Sequence, residues 1–454
     1  MLTHDYARFA AQVHHMPIPP EVLHHAKRCL VDWFAATLPG GMLPPATLMT
    51  DALVAKHGTG EASLLPSGIR TDARTAALIN GSASHTVEFD DIFRDGLYHP
   101  GAPVISAALA VAETSGASGD LLLRGVIAGY EISNRVARVM VPAHYEFWHT
   151  TGTVGFFGAA AAAATVLGLD ETQTAHAIAG VGSMAAGLQQ ALRGEAMTKP
   201  LHAGRAAEGG VLSAQIAQAG VTSVLDMLEG DWGFGKAMSR DADWSHAADG
   251  LGSDWTITQI TQKNHAACGH VHAAVDAVIA LAREHGLTAD NVAAIRVGSY
   301  QKAKEICGNP EPKTMFEAKF SMPYCLAAAL VWGKVRTAAF EPLALADRIV
   351  RDVIFRVTHT VDDECEGSFP NQRSAKVEID TTDGRTVSHF SPTRKGDPDH
   401  PLSDEELNEK YAELAAPVIG PTAAAALAER LWAVEHLATV NMLELQQLRP
   451  LGTG

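Results

Sequence analysis

The side chains able to hold anions and move protons are not spread evenly along these 454 residues. They collect in five stretches of otherwise apolar, glycine-rich sequence. The first, His85 to Gly101, contains His85, Glu88, Asp90, Asp91 and His99. The second is Tyr145 to Thr153, with His149, and the third is Met197 to Arg205, with Lys199 and His202. The fourth is Lys263 to His272, with Cys268, and the fifth is Ala318 to Tyr324. Taken singly, each has a plainer reading: a buried His or Tyr is usually hydrogen-bonded in a core, and Asp90-Asp91 suits a helix cap. Together they hold Lys, His, Tyr and Asp, the residue types that enolate chemistry uses. A proton next to a carboxylate is hard to remove because negative charge is added to an anion. Cations and donors at the carboxylate oxygens lower that barrier, and a general base within hydrogen-bond reach takes the proton.

Other chemistries fit less well. Gly230-x-x-x-x-Gly235-Lys236 resembles a phosphate loop, but Ala237 stands where a Ser or Thr should hold magnesium, and no strand precedes it. Cys268 and His272, at i and i+4, would share a helix face without a third ligand at metal spacing, so no metal or other cofactor is expected. The five cysteines are scattered and form no C-x-x-C pair, which argues against a disulfide framework or an iron–sulfur cluster. With 35 Lys plus Arg against 51 Asp plus Glu, the net charge is −16, which excludes a nucleic-acid partner by ordinary electrostatics. The apolar run Val154 to Leu169 is shorter than a bilayer requires, and the N-terminus lacks a signal-peptide pattern, so no membrane partner and a cytoplasmic location are expected.

The elements that must position these groups follow from periodicity. Up to about residue 265 the apolar residues recur at three- and four-residue spacing, as in Val22, Ala26, Cys29, Leu30 and Phe34. Between about 290 and 395 alternation takes over. Ala375 to Asp380 and Arg385 to Phe390, joined through Asp383-Gly384, predict a hairpin, and Val353 to Val361 predicts another strand. Ser403 and Glu406 fit a capping box that starts a C-terminal helix. The expected fold is mostly α: a large helical domain from 1–265 and 400–454, with a smaller α+β lid domain, 266–399, inserted.

The segments F-D-D…H-P (89–100), W-H-T-T-G-T (148–153), T-K-P-L-H-A-G-R (198–205), K-N-H-A-A-C (263–268), A-K-F-S-M-P-Y (318–324) and K-G-D-P-x-x-P-L-S-D-E-E-L (395–407) resemble the MmgE/PrpD family in order along the chain. That family includes 2-methylcitrate dehydratase, cis-aconitate decarboxylase and iminodisuccinate epimerase. The resemblance implies a helical domain, an α+β lid, an active site in the cleft between them and a homodimer acting on a small di- or tricarboxylate. It implies catalytic roles for His99, His149, Lys199 and Tyr324, to which the residue chemistry adds Tyr145. It also implies substrate contacts from Asp91, Lys263 and His272, and Glu88 and Cys268 are expected to line the same pocket. Glu88 stands where dehydratase and decarboxylase members have Asp, Ile92 where they have Thr, and Cys268 where the decarboxylases have His. A site that hydrogen-bonds a substrate hydroxyl discriminates strongly through that bond. The loss of a hydroxyl at Ile92 therefore inclines the reading towards an isomerase that epimerises an imino-dicarboxylate. A 2-methylcitrate-type dehydratase is the alternative, then a cis-aconitate-type decarboxylase. A non-catalytic carboxylate-binding protein is the reading from a different class.

Overall fold

Helices make up most of this chain, and a four-stranded sheet lies in its later part. The computed structural model describes residues 1–54, 59–194 and 196–452. It contains two compact units, Met1–Thr261 with Ser403–Gly454, and Gln262–Leu402.

The first unit is helical. Helix Gly155–Val166, which contains the run of alanines from Ala159 to Ala164, is buried along its whole length. Helices Gly101–Ser115, Gly119–Met140 and Thr198–Gln218 pack around it. Small side chains let these backbones approach. One close approach is between helices Ala73–Ser84 and Thr198–Gln218: a Cβ at Gly204 would lie 2.1 Å from the Leu78 carbonyl oxygen, and one at Gly81 would lie 2.9 Å from the Gly204 Cα. Only glycine allows this crossing. It matters because His85 follows the end of one helix and Lys199 lies at the start of the other.

The C-terminal helix Asp404–Ile419 begins with the expected capping box, Ser403 Oγ accepting from Glu406 N–H while the Glu406 carboxylate accepts from Ser403 N–H. It returns to helix Pro20–Gly40 and buries an ion pair there. Lys410 Nζ donates to Asp32 Oδ1 at 2.6 Å and to the Phe89 carbonyl at 2.8 Å, and it lies 4.1 Å from the centroid of the Phe89 ring. A residue from the end of the chain thus holds the segment that carries Glu88, Asp90 and Asp91.

The second unit has a four-stranded sheet in the order Val357–Val361, Val292–Ser299, Ala375–Thr381, Thr386–Ser391. The first pair is parallel and the others antiparallel. The hairpin turns at Gly384, where φ is +87°. Val353 is not in a strand: Asp347 accepts from Ile349 and Val350 N–H and caps a helix, Arg348–Ile354, so the strand starts at Val357. Helix His272–His285 packs on the hairpin and on helix Met322–Trp332. No helix of the described residues is long and apolar enough to cross a membrane.

Candidate active site

The first unit brings together most of the ionisable residues picked out from three of the stretches. Helix Ala73–Ser84 ends at His85, and the chain then turns sharply. Glu88 has φ +59°, a left-handed conformation that a non-glycine residue holds only when its surroundings impose it. What holds it is Lys199, whose ammonium donates to the Glu88 carboxylate; both residues are 8% exposed. Burial disfavours the ammonium. The charge and hydrogen bond of Glu88, with Asp90 and Tyr145 further off, outweigh burial and hold Lys199 above its ordinary pKa. Tyr145 lies half-buried in a short turn, close enough to act on Lys199 electrostatically.

Asp90 is buried between two imidazoles. Its Oδ2 is 2.6 Å from His85 Nδ1 and 3.2 Å from His99 Nδ1. Burial favours the neutral carboxyl, but the two histidines outweigh it and keep Asp90 well below the usual carboxylate range. The Asp90 carboxylate fixes His99 with Nδ1 protonated, so Nε2 is left to exchange protons, the usual division of labour in an Asp–His pair. Thr151 Oγ1 accepts from the His99 backbone N–H at 3.2 Å, joining the second stretch to the first.

His149 is stacked against His85, with ring centroids 5.5 Å apart, and its Nδ1 is 3.1 Å from His202 Nδ1. Burial, then neighbouring cations, push His149 well below the usual imidazole value; the same causes lower His202 to about 4. Both rings are therefore neutral at pH 7. Gly152 makes room for His202, since a Cβ there would lie 2.8 Å from the His202 Cβ.

Two expected residues are engaged elsewhere. Asp91 does not face these groups: its carboxylate accepts from Gly101 N–H at 2.9 Å, at the start of helix Gly101–Ser115, and from Tyr130 Oη at 2.7 Å. Burial raises its pKa to about 8. Tyr324, in the second unit, is fully buried and donates its hydroxyl to the Ala339 carbonyl; burial raises its pKa, which disfavours a role as base. Cys268 precedes helix His272–His285 rather than sharing a face with His272; its N–H bonds to the Lys319 carbonyl, and His272 Nε2 lies 3.1 Å from the Ala267 carbonyl. Lys263 is buried in that same unit.

Among the described residues, His85, Asp90 and His99 are the group able to offer ligand atoms to a metal, all within 4.8 Å of one another. A tetrahedral ion with bonds of about 2.0–2.2 Å separates its ligands by roughly 3.3 Å. The 2.6 Å gap between Asp90 and His85 is instead the length of a hydrogen bond, and it holds a proton.

The MmgE/PrpD N-terminal domain matches residues 4–247 and the MmgE/PrpD C-terminal domain residues 265–435. The chain belongs to the MmgE/PrpD family. Similar proteins include a cis-aconitate decarboxylase-like protein, oryM, of Aspergillus oryzae, 27% identical, covering 100% of this chain and 97% of that protein. Another is the cis-aconitate decarboxylase of Aspergillus terreus, 25% identical over 98% and 95% of the two chains. A third is the cis-aconitate decarboxylase of Homo sapiens, 27% identical over 90% and 88%.

The sequence reading gave no role to His85, Asp90 or His202. Two spacings point to them. Lys199 and His202 are at i and i+3, one face of a helix. His85 and Asp90 both lie just past the end of another.

Proposed function

We propose that this chain is a lyase that decarboxylates a small unsaturated tricarboxylate of the cis-aconitate type. The reading rests on one observation: a buried ammonium, Lys199, kept charged by Glu88 beside the His99 and His149 imidazoles. The names of the full-length relatives support it over epimerisation.

The chemistry needs three things from these residues. A substrate carboxylate must be held, and Lys199 with His149 supplies a cation and a neutral donor. The carbon–carbon bond to the departing carboxylate then breaks; carbon dioxide leaves, and the electron pair spreads onto the adjoining unsaturated carbons. Each donor aimed at that developing charge contributes a few kcal/mol, on the order of 3. Finally a proton must reach carbon. His99, with Asp90 behind it, is the proposed donor, because the carboxylate stabilises the imidazolium it must become before giving up the proton. Tyr145 is proposed as a hydroxyl close to Lys199 that could contact the substrate. Lys263 and His272 are proposed as substrate contacts, and a homodimer as the assembly, from the family resemblance; Cys268 is proposed as a contact at a position where the chain departs from the family, and a cytoplasmic location from the sequence pattern.

The test is incubation of the pure protein with cis-aconitate, 2-methylcitrate or iminodisuccinate in D₂O, followed by NMR. Loss of carbon dioxide with one deuteron incorporated per product molecule supports the proposal. A new alkene from 2-methylcitrate would replace it with a dehydratase, and deuterium entry with inversion and no carbon dioxide would replace it with the epimerase. No change in any substrate would favour the carboxylate-binding protein.

A further inference from the structure

The contact between His149 and His202 is between like atoms, and that restricts it chemically. Two Nδ1 atoms 3.1 Å apart form a hydrogen bond only if one carries a proton and the other does not. Both rings are buried, His149 at 2% and His202 at 8% exposure, and both are neutral at pH 7. A neutral imidazole has one N–H, so the direction of this bond decides what His149 Nε2 does. If His149 donates, its Nε2 is a bare acceptor, which repels an anion. If His202 donates, His149 Nε2 carries the hydrogen and is a donor. The Lys199 ammonium acts on both rings, and His85 stacks on His149. An anion drawn there requires donors.

We propose that His202 is a positioning residue that donates its Nδ1–H to His149 and so holds His149 as the neutral Nε2–H tautomer, a donor to a substrate carboxylate. The direction of this bond and its role in binding both rest on the function proposed above, while the NMR readout below tests the tautomer by itself. The geometry that supports it is built in. The His149 backbone N–H is tied to the Gly187 carbonyl at 2.8 Å, and a Cβ at Gly187 would sit 3.2 Å from His202 Nδ1. The ring of His202 is thereby pressed against glycine backbone on the side where it meets His149.

The experiment has a structural readout and a binding readout. The first is ¹⁵N NMR of the wild-type protein labelled at histidine, at pH 7.5, with His149 identified by its absence in His149→Gln. A protonated Nε2 and a bare Nδ1 on His149 are expected; a protonated Nδ1 on His149 overturns the proposal, whatever reaction the enzyme performs. The second is calorimetric binding of propane-1,2,3-tricarboxylate, a saturated tricarboxylate. His202→Asn keeps a donor and should bind within about threefold of wild type. His202→Asp offers only an acceptor, forces the other tautomer, and should weaken binding about 10- to 100-fold, the range for a hydrogen bond to a charged group. Equal weakening in both variants, with the Nε2–H tautomer retained in His202→Asp, would also overturn it. If wild type shows the expected tautomer and turns over none of the substrates, the function fails and the tautomer assignment stands.

Discussion

Glu88→Gln separates the charge of the Lys199 partner from its shape. The amide keeps the length of the side chain and an acceptor for the ammonium, but the negative charge is lost. In the wild type, burial pulls the Lys199 pKa down and Glu88 more than restores it, leaving it above 10.5. Two unit charges about 4 Å apart at an effective dielectric of about 20 interact by roughly 4 kcal/mol. A loss of that size favours the free amine, so Lys199 in the variant should titrate well below its wild-type value. The sign follows from the ammonium being the charged form: removing the anion favours the free amine, and the cation disappears as pH rises through the new value. Wild type should bind propane-1,2,3-tricarboxylate with an affinity insensitive to Lys199 between pH 6 and 9.5. Glu88→Gln should bind well at pH 6 and lose affinity progressively as pH rises. Glu88→Asp, which keeps the charge, should retain the wild-type profile. Calorimetric titrations at half-unit pH steps measure this. If Glu88→Gln and wild type share one profile up to pH 9.5, Glu88 does not maintain the charge of Lys199, and the account of the site fails at its centre.

Other substitutions test separate parts. Asp90→Asn should lower kcat at least about 100-fold with an unchanged circular dichroism spectrum, because the amide lacks the negative charge that stabilises an imidazolium at His99; a loss under threefold would remove the Asp–His pair from the chemistry. Asp91, with a folded pKa of about 8 against an unfolded value of about 3.9, binds its proton more tightly when folded. Its contribution to stability is thus fully present below pH 4 and is lost as pH rises to 8. Asp91→Asn should gain stability relative to wild type across that window in urea titrations, and parallel curves would refute the raised pKa. Gly204→Val should cost at least about 3 kcal/mol and reduce soluble yield, since its side chain meets the Leu78 carbonyl; a thermal midpoint within a degree of wild type would contradict the tight crossing.

How much of this was legible in the sequence depends on the distance over which each interaction acts. The alternation of Ala375 to Phe390, the Asp383-Gly384 turn and the Ser403–Glu406 cap are local, and they appear in the structure where the residues put them. The strand expected from Val353 was overridden locally too, by an Asp347 cap that the alternating pattern hides. The candidate site was legible as residue types and not as contacts. Lys199 and Glu88 are 111 positions apart, and Lys410 reaches Asp32 across 378; no spacing rule encodes such pairs. Asp90 and Asp91 show the limit most sharply. They are chemically identical neighbours, yet one is held ionised between two imidazoles and the other is turned to a helix terminus and kept protonated near neutrality. The backbone turn after His85 sends them in different directions, and the close approach of Gly81 to Gly204 fixes where that turn lies. The acid–base character of this site is therefore set by a helix crossing: two glycines with no chemistry of their own decide which carboxylate can serve a histidine.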